Sequence, residues 1–289
     1  MNDSVRRARR GLAIYLVAVV ILSTPLQIGI IATDALAETG SSIAWLTGLM
    51  LVPTVASVIA RGWQHEGFSD LGFRRGHRVG RALLIASILP FLVGTLAYGL
   101  AWSTGLTELQ IPPLGMWAAL FAAMLILNSI LATGEEIGWR GYMLPQMVEA
   151  GVPRPILVSS LVWGLWHVPL FQWGGFVHDG PDPLITTVLL MVATTALGYV
   201  LGRLRLDSDN VWPAALLHVT WNTVIQTGFH PASAGDDKAV WTGETGILTV
   251  LALIAVALAY RQWRPRRPVD NPIAYPNTKE DAVASGRKR

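Results

Sequence analysis

Residues 109–134 read LQIPPLGMWAALFAAMLILNSILATG, and residues 135–141 continue as EEIGWRG. The first run carries no Asp, Glu, Lys or Arg over 26 residues, more than the ~17–25 apolar residues that take a helix across a bilayer. Seven other charge-free stretches flank it, at 11–33, 39–60, 82–107, 155–178, 183–202, 210–235 and 245–260. The last is short, at 16 residues, but Arg261 can snorkel and Trp263 can rest at the interface. Across the 289 residues, 52% are hydrophobic and 14% charged, with a mean hydropathy of +0.44. Soluble domains carry roughly 25% charged residues. The expected fold is therefore all-α, a polytopic membrane bundle of about eight transmembrane helices. A disordered protein and a two-domain soluble enzyme are excluded, as is a disulfide scaffold, because the chain has no cysteine.

Basic residues mark the cytoplasmic side of a membrane protein. Here 21 of the 22 Lys and Arg fall in alternate connections. They are Arg6, Arg7, Arg9 and Arg10 at the start; Arg61, Arg74, Arg75, Arg78 and Arg81 after the second stretch; Arg140 and Arg154; Arg203 and Arg205; and eight in the tail. Lys238 is the exception, beside Asp236 and Asp237. The other connections hold Asp34, Glu38, Glu108, Asp179 and Asp182. Both termini are expected in the cytoplasm, with the chain in the plasma membrane. The net charge of +3 follows from arginines facing anionic lipid and needs no nucleic acid. Residues 1–10 form a basic cytoplasmic start, 11–263 the membrane domain and 264–289, with Pro265, Pro268, Pro272 and Pro276, a disordered cytoplasmic tail. The first stretch is too long for a signal-peptide core and is read as a retained span. Trp63, Phe68, Leu71 and Phe73 make 61–81 an amphipathic linker.

Ionisable groups at membrane depth are expensive and mark function by default. Of six histidines, His167 and His218 fall well inside spans. At 1.5 Å per residue His167 lies ~18 Å, His218 ~11 Å and Asn222 ~17 Å from the basic side. Glu135 and Glu136 reach comparable depth if helix continues from Pro113 through GWRGYMLPQMV to about Glu149. A helix of that length must tilt or break, with Gly134, Gly138, Gly141 and Pro145 as weak points. On this placement a cavity opens to the cytoplasm. Glu136 and Arg140 are i,i+4, as are His218 and Asn222, and Trp163 and His167. Asn128 shares a face with Glu135. Trp139, Trp163, Trp166 and Trp221 cluster beside these groups as an apolar wall.

Taken singly, each group has a structural role open to it: an interhelical hydrogen bond for either His, a helix-stabilising pair for Glu136–Arg140, packing for Asn128. Together, on three spans at matched depth, they point to chemistry. HEGFS at 65–69 lacks the second His of a zinc-protease helix, and neither a nucleophilic-serine motif nor a thiol is present. Carboxylate and imidazole can activate water, with a second His and an amide stabilising an oxyanion. Two His and a carboxylate also match a catalytic zinc site with an open position.

EEIGWRG at 135–141, WGLWH at 163–167 and HVTWN at 218–222 resemble, in order and spacing, the three motifs of the CAAX-protease and bacteriocin-processing family of intramembrane endopeptidases. The family core would span about 110–230. Trp163 stands where the family often has Phe. The resemblance implies that Glu135 with His167 activates the hydrolytic water and that His218 and Asn222 hold the oxyanion, with Glu136 and Arg140 as supports. It allows a zinc enzyme, with Glu135, His167 and His218 as ligands, or a metal-free glutamate mechanism. It implies a membrane-associated peptide or protein substrate, either prenylated CAAX-type or leader and bacteriocin-type. Two other readings stay open: a non-catalytic membrane immunity or scaffold protein, and an ion-coupled transporter whose relay uses the same groups.

Overall fold

The computed structural model describes residues 3–36, 39–71, 78–175 and 182–263, without the side chains of 39–42 and 70. The tail 264–289 and part of the 61–81 linker lie outside the described residues. Six helices are long and apolar enough to cross a membrane. They are α1 (Asp3–Ala32), α2 (Thr39–Gln64), α3 (Val79–Thr104), α4 (Leu114–Glu149), α5 (Pro155–Trp173) and α6 (Pro183–Ser208). The seventh and eighth expected spans are shorter. α7 is helical over Trp212–Trp221 and continues as a π-helix over Asn222–Phe229, and α8 covers Ile247–Trp263. The all-α membrane bundle expected from the sequence is the fold observed.

Its surface is inverted relative to a soluble protein. Val17, Ile21, Ile88, Phe91, Ile126, Leu165 and Leu251 are exposed, while Arg61, Glu136, Arg140 and Arg205 are buried. Lipid offers no hydrophobic drive between helices, so small residues and polar pairs hold the bundle. Gly134 and Gly138 face α2: Thr54 Oγ1 donates to the Gly134 carbonyl, and a Cβ at Gly138 would run into the Pro53 backbone. Gly198 lets α6 close on Ser160 of α5 in the same way.

Proline and short polar side chains set the helix starts. Pro155, Pro183 and Pro213 occupy the first turns of α5, α6 and α7, where a missing N–H costs nothing. The Asp182 carboxylate accepts from Leu184 N at 2.8 Å, and Asn210 Oδ1 from Trp212 N at 2.9 Å, each capping an orphan donor.

α4 is continuous over 36 residues, the deeper of the two placements considered for the acids. It does not break. Residues Trp139–Met143 widen into a π-turn that ends two residues before Pro145, and Pro145 cannot bond the Gly141 carbonyl. Two buried guanidiniums serve the loosened turn. Arg61 Nη2 donates to Gly141 O at 3.4 Å and Arg205 Nε to Arg140 O at 3.1 Å.

The helix ends sort by charge. Arg7 reaches Gln64 O at 2.6 Å and Glu66 at 3.3 Å, and Arg9 reaches Ala150 O at 3.3 Å. The start of α1, the end of α2 and the end of α4 thus meet at one arginine-rich end. The opposite end is tied by a two-residue antiparallel ladder, β1 (Glu108–Leu109) with β2 (Ser233–Ala234), pairing Glu108 with Ala234 and Leu109 with Ser233. There Trp102 Nε1 donates to Ser233 Oγ at 2.9 Å, and Gly243 N donates to the Tyr98 hydroxyl at 2.8 Å.

Candidate active site

α4 presents two adjacent carboxylates in different directions, and each meets different partners. Glu136 is fully buried, and its Oε1 accepts from Arg140 Nη1 at 2.7 Å, one turn on, and from His218 Nδ1 of α7 at 3.0 Å. The acid therefore joins α4 to α7 and fixes the second histidine, a role beyond the helix support expected of it. Glu135 turns the other way. Its Oε2 accepts from Trp163 Nε1 at 3.0 Å and from Trp139 Nε1 at 3.3 Å.

The histidines are held by their Nδ1 atoms. His167 Nδ1 lies 2.9 Å from Trp163 O, one turn back on α5. A carbonyl only accepts, so Nδ1 carries the hydrogen and Nε2 keeps its lone pair. His218 Nδ1 faces the Glu136 carboxylate, an anion that favours a ring protonated on both nitrogens and leaves Nε2 for the pocket.

Trp163 stands at the centre. Its ring meets His167 and His218 edge-on at 5.5 and 5.4 Å between centroids, and the Arg140 guanidinium lies 4.4 Å over it. Trp166 meets His167 at 4.8 Å and Trp139 at 5.6 Å, and donates to Ser23 Oγ at 2.7 Å. Two of the four tryptophans expected as an apolar wall, Trp139 and Trp163, are thus also the hydrogen-bond donors that aim Glu135. Asn128 has the packing role considered for it, donating to Thr223 Oγ1 at 3.2 Å.

Glu135, Trp163, His167, His218 and Asn222 line one cavity of about 90 Å³. It brings together the catalytic set expected from three separate spans. Its far end is formed by Phe171 near the end of α5, Gln226 of the π-segment, and Glu244 and Thr245 ahead of α8. All of these lie towards the end opposite the arginines. On the arginine side of the site, Trp139, Arg140, Tyr142, Met143 and Leu144 of α4 are buried.

Glu244 was not legible as a site residue, because it lies in a connection and in no motif. Burial pushes its carboxyl above the ordinary range, while hydrogen bonds from Gln226 and Trp221 and the nearby His218 act to lower it.

Zinc is the metal the sequence allows. Among the described residues, no three His, Asp or Glu side chains are grouped closely enough to hold a metal ion. Glu135, His167 and His218 share a cavity, but they do not form a ligand set as they stand. One Glu135 oxygen is already occupied by two indole donors.

Residues 114–224 match the family model described as type II CAAX prenyl endopeptidase Rce1-like. No curated protein matches the chain.

Proposed function

We propose, from the chain's membership through residues 114–224 in the family of type II CAAX prenyl endopeptidase Rce1-like proteins, a family of CAAX-type intramembrane proteases, that this protein hydrolyses a peptide bond of a membrane-associated substrate. The observation that carries the reading is the paired aiming of Glu135 by two indoles and of both histidines by their Nδ1 atoms, into one cavity.

The step is a water attack. The Glu135 carboxylate, with Oε2 held by Trp139 and Trp163, takes a proton from a water placed between Oε1 and His167 Nε2. The hydroxide adds to the scissile carbonyl carbon. The resulting oxyanion lies between His218 Nε2, protonated with the Glu136 carboxylate behind it, and the Asn222 amide. Collapse breaks the C–N bond, and the proton on Glu135 passes to the leaving amine. No step requires a metal. The protein would act as a multi-pass enzyme of the plasma membrane.

Purified protein and a panel of quenched peptides test this. Glu135→Ala is expected to lower hydrolysis by at least ~10²–10⁴-fold, the usual worth of a general base, while the melting profile stays cooperative. Undiminished hydrolysis in that variant would sink the reading in favour of a non-catalytic membrane protein. Hydrolysis that survives a chelator, in protein shown to be metal-free, supports the glutamate route; its loss on chelation restores a zinc route.

A further inference from the structure

α6 serves two spaces with two faces. At 3.6 residues per turn, Leu190, Ala193, Thr194 and Leu197 fall on the side that lines the catalytic cavity. Thr187, Met191, Thr195 and Tyr199 fall on the other side, where α6 borders a groove of about 580 Å³ together with α5 and α8. The groove has a deep floor and raised rims: Ala257 is 7% exposed, Leu157 38% and Leu258 51%. Its two threonines are turned to other partners, since Thr195 Oγ1 donates to Met191 O at 2.6 Å and Thr187 Oγ1 accepts from Gln172 Nε2 at 2.6 Å. From Thr187 to Tyr199 the groove follows α6 for 12 residues, or ~18 Å. That is close to one leaflet, half of a ~30 Å hydrocarbon core. At the arginine-rich end stands Arg261, in the last turn of α8. Its side chain is exposed and pairs with no carboxylate among the described residues.

We infer that this groove holds an acyl chain of an anionic glycerophospholipid, with the lipid phosphate on Arg261. Shape and charge agree on that occupant. A chain one leaflet long ends where the cation stands, and basic pockets between helices at that level take anionic headgroups. The guanidinium meets a phosphate through charge-assisted hydrogen bonds. A docked transmembrane helix would instead run through both leaflets and would need small residues along its path, whereas the rims here are leucines. The groove is distinct from the catalytic cavity, and its occupancy does not depend on the proteolytic reading. It does lie behind a tight contact of the site: a Cβ at Gly164 of α5 would meet Thr194 Oγ1 and Met191 Sδ of α6. The lipid therefore backs the face of α6 against which Trp163 and His167 are placed.

The full-length protein, purified in detergent and stripped of lipid, is titrated with phosphatidylglycerol or phosphatidylcholine of identical acyl chains, and native mass spectrometry counts the bound lipid. Phosphatidylglycerol is expected to bind about fivefold more tightly, the worth of one basic side chain beside an anionic headgroup, and to raise the thermal midpoint. Arg261→Gln should erase that preference and leave the lipid-free melt unchanged, because the side chain is exposed. Ala196→Leu narrows the groove without touching Arg261, and it should weaken both lipids. Equal binding of the two lipids by the parent, or a preference that survives Arg261→Gln, overturns the inference and leaves ordinary boundary lipid. Unchanged binding in a folded Ala196→Leu variant also overturns it, by placing the lipid elsewhere. Inorganic phosphate alone is expected to give no shift; stabilisation equal to that by the lipid would make this a site for a free anion. Because the chain has no cysteine, Leu258→Cys reports on a rival occupant. A disulfide-linked dimer formed in native membranes would put a second copy on the groove and overturn the lipid.

Discussion

Trp163 concentrates the site's dependence on one side chain. Its indole N–H holds Glu135, its carbonyl fixes His167, and its face carries Arg140. Phe would retain the ring contacts and the backbone carbonyl and remove the N–H alone. A hydrogen bond to a charged group is worth ~1.5–3 kcal/mol. Trp163→Phe is therefore expected to lower kcat roughly 10–100-fold with little change in thermal midpoint, measured by steady-state kinetics and melting in detergent. Glu136 has the opposite profile. Removing it strands a buried Arg140 and releases His218, so Glu136→Ala should destabilise by about 3–5 kcal/mol. Differential scanning in detergent checks it, and restoring neutrality with Arg140→Met should recover part of the loss. The sequence placed both acids and both histidines at matching depth, and the structure brings Glu135, His167 and His218 to one cavity with Glu136 against His218. It did not assign Glu136 to His218, because a contact between residues 82 apart leaves no trace in local spacing.

At the scale of the helix, the charge-free runs were legible nearly to their ends, because hydrocarbon forbids charges over the same interval in which it demands helix. The π-turns were not. A π-turn differs from an α-turn by one residue's offset, and the signals beside it, Gly141 and Pro145, were equally compatible with a break. What preserves the helix is tertiary, namely the guanidiniums of Arg61 and Arg205 on the carbonyls of residues 141 and 140. Contact between α2 and α4 depends on Gly138 in the same tertiary way. Gly138→Ala, although it improves helix propensity, places a methyl against the Pro53 backbone. It should cost about 1–3 kcal/mol, seen as a lower melting temperature. A stabilised variant would contradict the tight α2–α4 approach.

For the whole molecule, the charge ledger separates the two ends at which the helices meet, yet which connections reach the cavity could not be read from it. Depth along each helix is a one-dimensional quantity, and whether the space above or below the site is filled depends on how side chains from several helices interlock. Glu244 escaped notice for the same reason, reaching the cavity from a connection. Its raised carboxyl has a consequence for global stability. The folded state binds the proton more tightly than the unfolded chain, so stability falls as pH rises through the ordinary carboxylate range and levels off above the folded value. Glu244→Gln keeps a neutral hydrogen-bonding group, and it should melt higher than the parent at neutral pH. The gap should close on acidification, and a gap independent of pH would refute the assignment.

The ladder of β1 with β2, with the bonds from Trp102 and to Tyr98, fastens the connection that carries Glu244 to the top of α3. Two paired residues make a marginal sheet, so this strap detaches at a small fraction of the free energy that holds the bundle together. A cavity of about 90 Å³ accepts a water and a carbonyl but not an extended peptide. On the proteolytic reading proposed above, admission of a peptide would therefore require local breathing of the bundle around the cavity.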